Sequence, residues 1–304
     1  MSVNKTQPEF LKPGDEVAII SPSFSIDKKR MIGAAAFLEE WGLKVRVGKN
    51  ALKSNGPFAG SDKERLADLQ EMTDDPEIKA VFCSRGGYGV LKIIDNVDFT
   101  PLKKTPKWYI GFSDITVLHI WLSELCGLIS VHGEMPLNFN NSEKTSDSFI
   151  SLQQALFGQL QPCSWEGTFF NEGNVEGEMT GGNLSLFYSL TGTRAEPSTA
   201  GKILFIEDVG EYYYHIDRMM SSLKLAGKLE GLSALIVGGM NKIEDTKVPW
   251  GRSMEETIYS IVQEYNYPLL FNYPAGHIAD NRAFYVGGRA GIEITDNKAT
   301  LTFI

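Results

Sequence analysis

Cysteine is scarce and scattered: Cys83, Cys126 and Cys163 are the only three in 304 residues, and none stands in a CxxC pair. That odd, dispersed set excludes a disulfide framework and a zinc ribbon, and it fits a reducing compartment. Cationic excess is missing as well. Lys+Arg 29 against Asp+Glu 38 leaves a net charge of −9, with no long Lys/Arg block. Such a balance argues against nucleic acid or an anionic membrane as the main partner. No apolar run approaches the roughly 18 residues that a membrane span needs. The opening MSVNKTQPEFLKPGDE lacks the apolar core and small-residue cleavage site of a secretory leader. A cytoplasmic protein is therefore expected. Low-complexity tracts and internal repeats are absent too. What remains, 42% hydrophobic and 22% charged, is the balance of an ordinary globular chain with room for about two domains.

The first half alternates short apolar runs with amphipathic stretches. Val17–Ile20, Leu43–Val47, Ile78–Cys83, Trp108–Ile110 and Leu128–Val131 read as strands. Between them, Met31, Ala35, Leu38 and Trp41 recur at helical spacing, and Ser61-Asp-Lys-Glu64 is a capping box opening a helix with Leu66, Leu69 and Met72 on one face. Gly89 to Val97 and Ile115 to Leu125 read as further helices. Parallel strands need crossover connections, so this rhythm predicts an α/β fold. The expectation is a flavodoxin-like or Rossmann-like parallel sheet with helices on both faces, over residues 1–160. A Ser/Glu/Gly/Asn-rich stretch at 161–175 reads as a linker. Residues 176–304 read as a mixed α+β domain. It offers the strands Ile203–Ile206, Ala234–Val237 and Leu269–Phe271, and a helix from Ile216 to Leu225. A second capping box, Ser253-Met-Glu-Glu256, precedes Ile258, Ile261, Val262 and Tyr265, and a hairpin spans 283–304 with its turn at Asp296-Asn297.

Four features can carry chemistry. In Tyr109-Ile-Gly-Phe-Ser113-Asp114 a strand runs straight into a helix. A turn this tight exposes one side chain and aims helix N-terminal amides beside it, so Ser113 is a candidate nucleophile. Equally, Ser113 or Asp114 can act only as a helix cap, and the turn lacks the second glycine of a GxSxG elbow. The glycine-rich loop Ser84-Arg-Gly-Gly-Tyr-Gly89 can cradle an anion or supply an oxyanion-hole amide. The carboxylates of Ile206-Glu-Asp-Val-Gly-Glu211 follow a buried strand, where a solvated loop is the plain alternative. Thr180-Gly-Gly-Asn-Leu184 can be just a turn. Of the four histidines, His119 lies inside an apolar helix, His132 ends a strand, His215 precedes a helix, and His277 sits in a Pro/Gly loop. Serine is a weak nucleophile unless an imidazole removes its proton and a carboxylate orients that imidazole. Ser113, Glu207 and His277 supply those three roles and suggest acyl transfer.

In order and together, Ser21-Pro-Ser23, Ser84-Arg-Gly-Gly-Tyr-Gly89, Gly111-Phe-Ser-Asp114, His132-Gly133, Gly181-Gly-Asn-Leu184, Ile206-Glu-Asp208, Asp217-Arg218 and Gly276-His277 resemble the S66 family of serine peptidases. This family comprises the LD-carboxypeptidases, and it includes murein tetrapeptide carboxypeptidases and microcin C immunity peptidases. The resemblance covers nearly the whole chain. It implies a Ser113–Glu207–His277 triad without metal or other cofactor, and an oxyanion hole from the amides of Asp114 and Gly86, chosen over Gly87. It also implies a murein peptide substrate and a homodimer. A free terminal carboxylate calls for a cation, for which Arg85 is the candidate, with Asn183 beside it. Glu134 departs from the family pattern after His-Gly. It is read either as a contact for the amine of a diamino acid or as a solvated, idle carboxylate. The alternatives are an immunity-type peptidase acting on aminoacyl nucleotides and a non-catalytic, anion-binding two-domain protein.

Overall fold

The computed structural model describes residues 5–139, 146–171, 173–295 and 297–304. The chain divides into two compact units: Met1–Leu160 with Arg282–Tyr285, and Gln161–Asn281 with Val286–Ile304.

In the first unit, β1 (Glu16–Ile20), β2 (Lys44–Val47), β3 (Ile78–Cys83), β4 (Trp108–Gly111) and β5 (Ser130–His132) lie in the order β2-β1-β3-β4-β5. All four of these pairings are parallel. A strand from Phe284–Val286 adds to the free side of β5. This is the flavodoxin order, and its direction of growth reverses between β1 and β3, where doubly wound sheets hold ligands beyond the strand ends. Val17 to Ile20 and Ala80 to Cys83 are fully buried, as strands covered on both faces must be.

Helix α1 (Lys28–Glu40) starts at Asp27, whose carboxylate accepts from Arg30 N. Helix α2 (Asp62–Asp74) starts with the expected Ser61/Glu64 capping box. The inward face of α1 is Met31, Ala34, Phe37 and Leu38, a shift from the predicted stripe through Ala35 and Trp41. In α2, Leu69 and Met72 are buried as expected, but Arg65 and Asp68 are buried too. Each has partners that make this tolerable. Arg65 donates to Pro22 O at 2.6 Å and lies 5.0 Å from the Phe58 ring centre, while Asp68 accepts from the backbone and side chain of Asn50.

Two predicted helices differ. The segment 89–97 forms two single 3-10 turns, Val90–Lys92 and Ile94–Asn96. The segment 115–125 is composite: a 3-10 turn Ser113–Ile115, then α3 (Thr116–Trp121), then a wide turn Leu122–Cys126. After α4 (Asp147–Leu156) the chain enters the second unit.

There, β6 (Cys163–Glu166), β7 (Phe169–Phe170), β8 (Val175–Asn183), α5 (Leu184–Ser189), β9 (Lys202–Val209), α6 (Tyr213–Leu225), β10 (Ala234–Asn241), α7 (Met254–Val262) and β11 (Leu269–Leu270) follow one another. The strand already met at Phe284–Val286 is β12, and β13 (Arg289–Thr295) and β14 (Lys298–Phe303) close the chain. The sheet order is β6-β14-β13-β8-β9-β10-β11-β7, parallel from β8 to β11 and antiparallel on both flanks. The mixed α+β expectation holds. The stretch 161–175, read as a linker, contains β6 and β7, and its Trp165 is buried edge-on against Tyr273. Its polar composition belongs to edge strands, which carry polar side chains on their outer face. The hairpin expected over 283–304 is confined to β13 and β14, which alternate as predicted, while Phe284–Val286 joins the first sheet instead; of the expected turn, Asp296 lies outside the described residues. No helix among the described residues is long and apolar enough to cross a membrane.

His119 belongs to this framework. It is 1% exposed, with Nε2 2.8 Å from Gly111 O and Nδ1 2.8 Å from Ser130 Oγ. The carbonyl can only accept, so Nε2 carries the proton and Nδ1 accepts from the serine. Burial holds the imidazole neutral and pushes its pKa down to about 4, below the ordinary value of about 6.5. Below pH ~6.5 the unfolded chain takes up a proton that folded His119 refuses, so stability falls as pH drops from ~6.5 towards ~4. We expect His119→Gln to flatten this part of the pH dependence of the thermal midpoint; an unchanged slope between pH 7 and 4.5 would rule the account out.

Candidate active site

β4 delivers Ser113 through a tight corner. Gly111 passes so close to the next turn that a β-carbon there would lie 2.8 Å from the Ile115 side chain. Ser113 then takes φ +63°, the left-handed region that side chains other than glycine rarely adopt. Strain of this kind collects where a side chain must be aimed. Ser113 is partly exposed between the buried Phe112 and Asp114. The Ser113 turn itself is closed without a side-chain cap. Asp114 instead accepts from Ser23 Oγ at 2.6 Å and Val90 N at 2.9 Å, and burial raises its pKa.

The Ser84–Gly89 loop leaves β3 beside this corner. A β-carbon on Gly86 would lie 2.6 Å from Ser113 Cβ and 2.8 Å from Ser113 Oγ, so only glycine fits against the hydroxyl. Gly87 faces elsewhere, against the Phe24 ring. Arg85 is half-buried, donates to Ser25 O at 3.1 Å and lies 5.7 Å from the Phe24 ring centre. Burial, with Arg30 nearby, lowers its pKa. Under the loop, Ser21 and Ser84 join their hydroxyls at 2.7 Å. Glu134 is 5% exposed and accepts from Asn138 Nδ2 at 2.6 Å, so it is not the solvated carboxylate of one reading. His132 is fully buried and stacked 4.4 Å from Phe284, inside the core of the unit.

In the second unit the acids do not follow a strand; they lie within it. β9 runs through Val209, so Glu207 and Asp208 point to opposite faces, at 0% and 2% exposure. Glu207 Oε2 accepts from His277 Nδ1 at 2.7 Å and from His277 N at 3.1 Å. With Nδ1 donating, the basic lone pair of the ring is on Nε2. Gly276, at φ +108°, presses on Glu207, where a β-carbon would lie 2.8 Å from its side chain. Two asparagines hold the loop: Asn281 Oδ1 accepts from Gly276 N at 2.8 Å, and Asn241 Nδ2 donates to His277 O at 2.7 Å.

Asp208 turns the other way, accepting from Asn183 Nδ2 at 2.9 Å, Val209 N at 2.8 Å and Ser185 N at 3.0 Å. Burial raises its pKa to about 6. Asn183, expected beside the substrate, is 3% exposed and caps α5 by accepting from Leu186 N at 3.2 Å. Its amide braces Asp208 and the start of α5. His215 pairs with Glu211 at 2.5 Å among Tyr212 and Tyr214. Among the described residues no three His, Cys, Asp or Glu side chains group as a metal site needs. Asn241 and Asn281 escaped sequence reading, and Ser23 entered it only as part of the Ser21-Pro-Ser23 motif, because only tertiary contact reveals what the three hold.

Comparisons with known proteins bear on the family and the fold. Residues 17–133 match the LD-carboxypeptidase N-terminal domain and residues 176–292 the LD-carboxypeptidase C-terminal domain of peptidase family S66. A probable murein peptide carboxypeptidase of Bacillus subtilis is 36% identical, over 97% of this chain and 94% of its own. The crystal structure of muramoyltetrapeptide carboxypeptidase from Oxalobacter formigenes superposes with a TM-score of 0.86 at 27% identity, covering 95% of this chain and 98% of that one. The microcin C7 self immunity protein MccF, solved with aspartyl sulfamoyl adenosine, shares the fold, with a TM-score of 0.87 at 23% identity over 97% and 98%. With both family domains matched in order and a relative at this identity across its length, the chain belongs to the S66 family of LD-carboxypeptidases.

Proposed function

We propose that this protein is a cytoplasmic serine LD-carboxypeptidase that hydrolyses the L,D bond before the terminal D-alanine of murein tetrapeptides, in peptidoglycan recycling. The observation that carries the reading is Ser113, a serine in left-handed backbone with its hydroxyl against a glycine that nothing larger can replace. The Glu207–His277 pair, with Nε2 left basic, supplies the base that such a serine needs.

In this mechanism His277 Nε2 takes the Ser113 proton as Oγ attacks the scissile carbonyl, and the amides of Gly86 and Asp114 receive the developing oxyanion. The imidazolium, stabilised by Glu207, then protonates the departing D-alanine amine. Water, deprotonated by the same imidazole, hydrolyses the acyl-enzyme. Arg85, already steadied by Ser25 O and Phe24, pairs with the terminal carboxylate of the substrate. Glu134 is the acid available to a diamino acid side chain; Glu134→Gln is expected to weaken selectivity for diaminopimelate-containing peptides, and unchanged KM and preference would refute that role. The family likeness implies a homodimer, which sedimentation velocity checks.

Release of D-alanine from L-Ala-D-Glu-diaminopimelate-D-Ala, followed by mass spectrometry with EDTA present, tests the whole reading. Ser113→Ala and Glu207→Gln are expected to lower kcat by about 10³–10⁴ or more; full turnover by Ser113→Ala would sink the mechanism. Arg85→Ala is expected to raise KM roughly tenfold or more while kcat changes little, since loss of binding common to ground and transition states appears in KM. The same penalty on a peptide whose terminal carboxylate is amidated would contradict the assignment. The competing reading is an immunity-type peptidase, and the fold is shared with an immunity protein solved with aspartyl sulfamoyl adenosine. Cleavage of an aminoacyl nucleotide and not of the tetrapeptide would move the protein to that class, and failure of Ser113 to take a covalent serine probe would leave the binding-protein alternative.

A further inference from the structure

Three chain segments meet beyond the ends of β1, β3 and β4: Ser21–Ser23, Ser84–Val90 and Phe112–Asp114. One carboxylate oxygen ties them together. Asp114 Oδ2 accepts both from Ser23 Oγ at 2.6 Å and from Val90 N at 2.9 Å, and the side chain is fully buried. Val90 opens a 3-10 turn whose cap position is Gly89, which has no side chain to offer. Asp114 therefore caps that turn from across the sheet. Arg65, with no exposed side-chain surface, holds the same corner from the other side. It donates to Pro22 O at 2.6 Å, pairs with Asp62, and crowds Gly89, where a β-carbon would lie only 2.3 Å from its guanidinium.

We infer that the Asp114 side chain is a positioning residue for the oxyanion hole, holding the glycine loop so that Gly86 and the backbone N–H of Asp114 itself stay aimed at one point. The inference rests on the reading of Ser113 as nucleophile. One residue then supplies one donor through its backbone and fixes the loop of the other through its carboxylate, so the two amides cannot drift apart independently. Both bonds end on Oδ2, while Oδ1 is buried with no hydrogen-bond partner. A single carbonyl oxygen in that place thus does the same work, and the negative charge is dispensable. This separates positioning from general electrostatics, because asparagine keeps the oxygen and loses the charge.

The test measures the rate at which a fluorophosphonate probe phosphonylates Ser113 in the full-length protein, together with kcat and KM on the tetrapeptide. In the attack, Ser113 Oγ bonds to phosphorus, fluoride leaves, and the serine proton passes to His277. The phosphoryl oxygen uses the oxyanion hole whatever the natural substrate is. Asp114→Ala is expected to slow labelling and kcat by about 10²–10³, the cost of losing one oxyanion donor, with KM within threefold of wild type. In a Ser113→Ala background the tetrapeptide Kd should change no more than threefold on adding Asp114→Ala. Asp114→Asn is expected to recover most of the lost rate, and Ser23→Ala to cost a smaller factor in kcat alone. Labelling of Asp114→Ala at the wild-type rate would overturn the inference. So would equal damage from Ala and Asn with Kd weakening in step, as a collapse of the loop would cause. No labelling of wild type at Ser113 would overturn the nucleophile reading and this inference with it, whereas labelling without tetrapeptide cleavage would overturn only the substrate.

Discussion

Parallel strands end together, and every group with a candidate chemical role depends on that constraint. In the first unit the carboxyl ends of β1, β3 and β4 release three loops at one edge of the sheet. These become the serine pair beside Pro22, the glycine loop and the Ser113 corner. In the second unit β8, β9 and β10 also run parallel, and their ends carry Asn183, Glu207 with Asp208, and Asn241. A crossover connection returns each chain segment to the same starting side, so side chains far apart in sequence arrive at one level. The antiparallel flanks of the second sheet extend it without contributing to that edge.

Buried polar groups hold these loops in place, and the arrangement is economical. Glu207 spends one oxygen on both the backbone and the ring of His277, which fixes the position and the tautomer of the imidazole together. Asp208, the next residue, faces the opposite side of the strand and organises Asn183 and α5. Taking a carboxylate out of water is costly unless hydrogen bonds replace the lost solvation. Asp68, Asp114 and Asp208 each receive at least two. The polar interior at the strand ends is therefore specific in a way that an apolar core, tolerant of repacking, is not.

Much of the fold was legible because it follows from local rules. The five parallel strands of the first sheet, both Ser/Glu capping boxes and the alternation of β13 and β14 depend on patterns a few residues long. The sequence misled where tertiary contacts decide. Arg65 and Asp68 occupy helix positions that read as polar surface, and their burial depends on Pro22 and Asn50, far along the chain. Cys163–Glu166 and Phe169–Phe170 read as linker because edge strands look like loops in composition. The candidates Ser113, Glu207 and His277 were singled out by residue type and by their position after strands. Asn241 and Asn281 were missed and Ser23 was noted without a role, since nothing adjacent in sequence marks any of the three as a partner. Asn183 was noted as a substrate neighbour and is found as the cap of α5, since a helix cap and a ligand contact draw on the same residue types.

The strand at Phe284–Val286 gives the first sheet its last member. Phe284 stacks on His132, Tyr285 lies against Trp108 and donates to Ala155 O at 2.7 Å, and Ala283 N donates to Ser151 Oγ at 2.9 Å. These partners all lie within the first 160 residues, yet the strand that meets them follows more than a hundred residues later, after most of the second unit. During synthesis from the N-terminus, the unit that carries Ser113 must therefore wait with β5 as a bare edge until Phe284–Val286 has been made. An open edge invites pairing with other chains, so the order of translation itself makes this unit the one most dependent on protection before it closes.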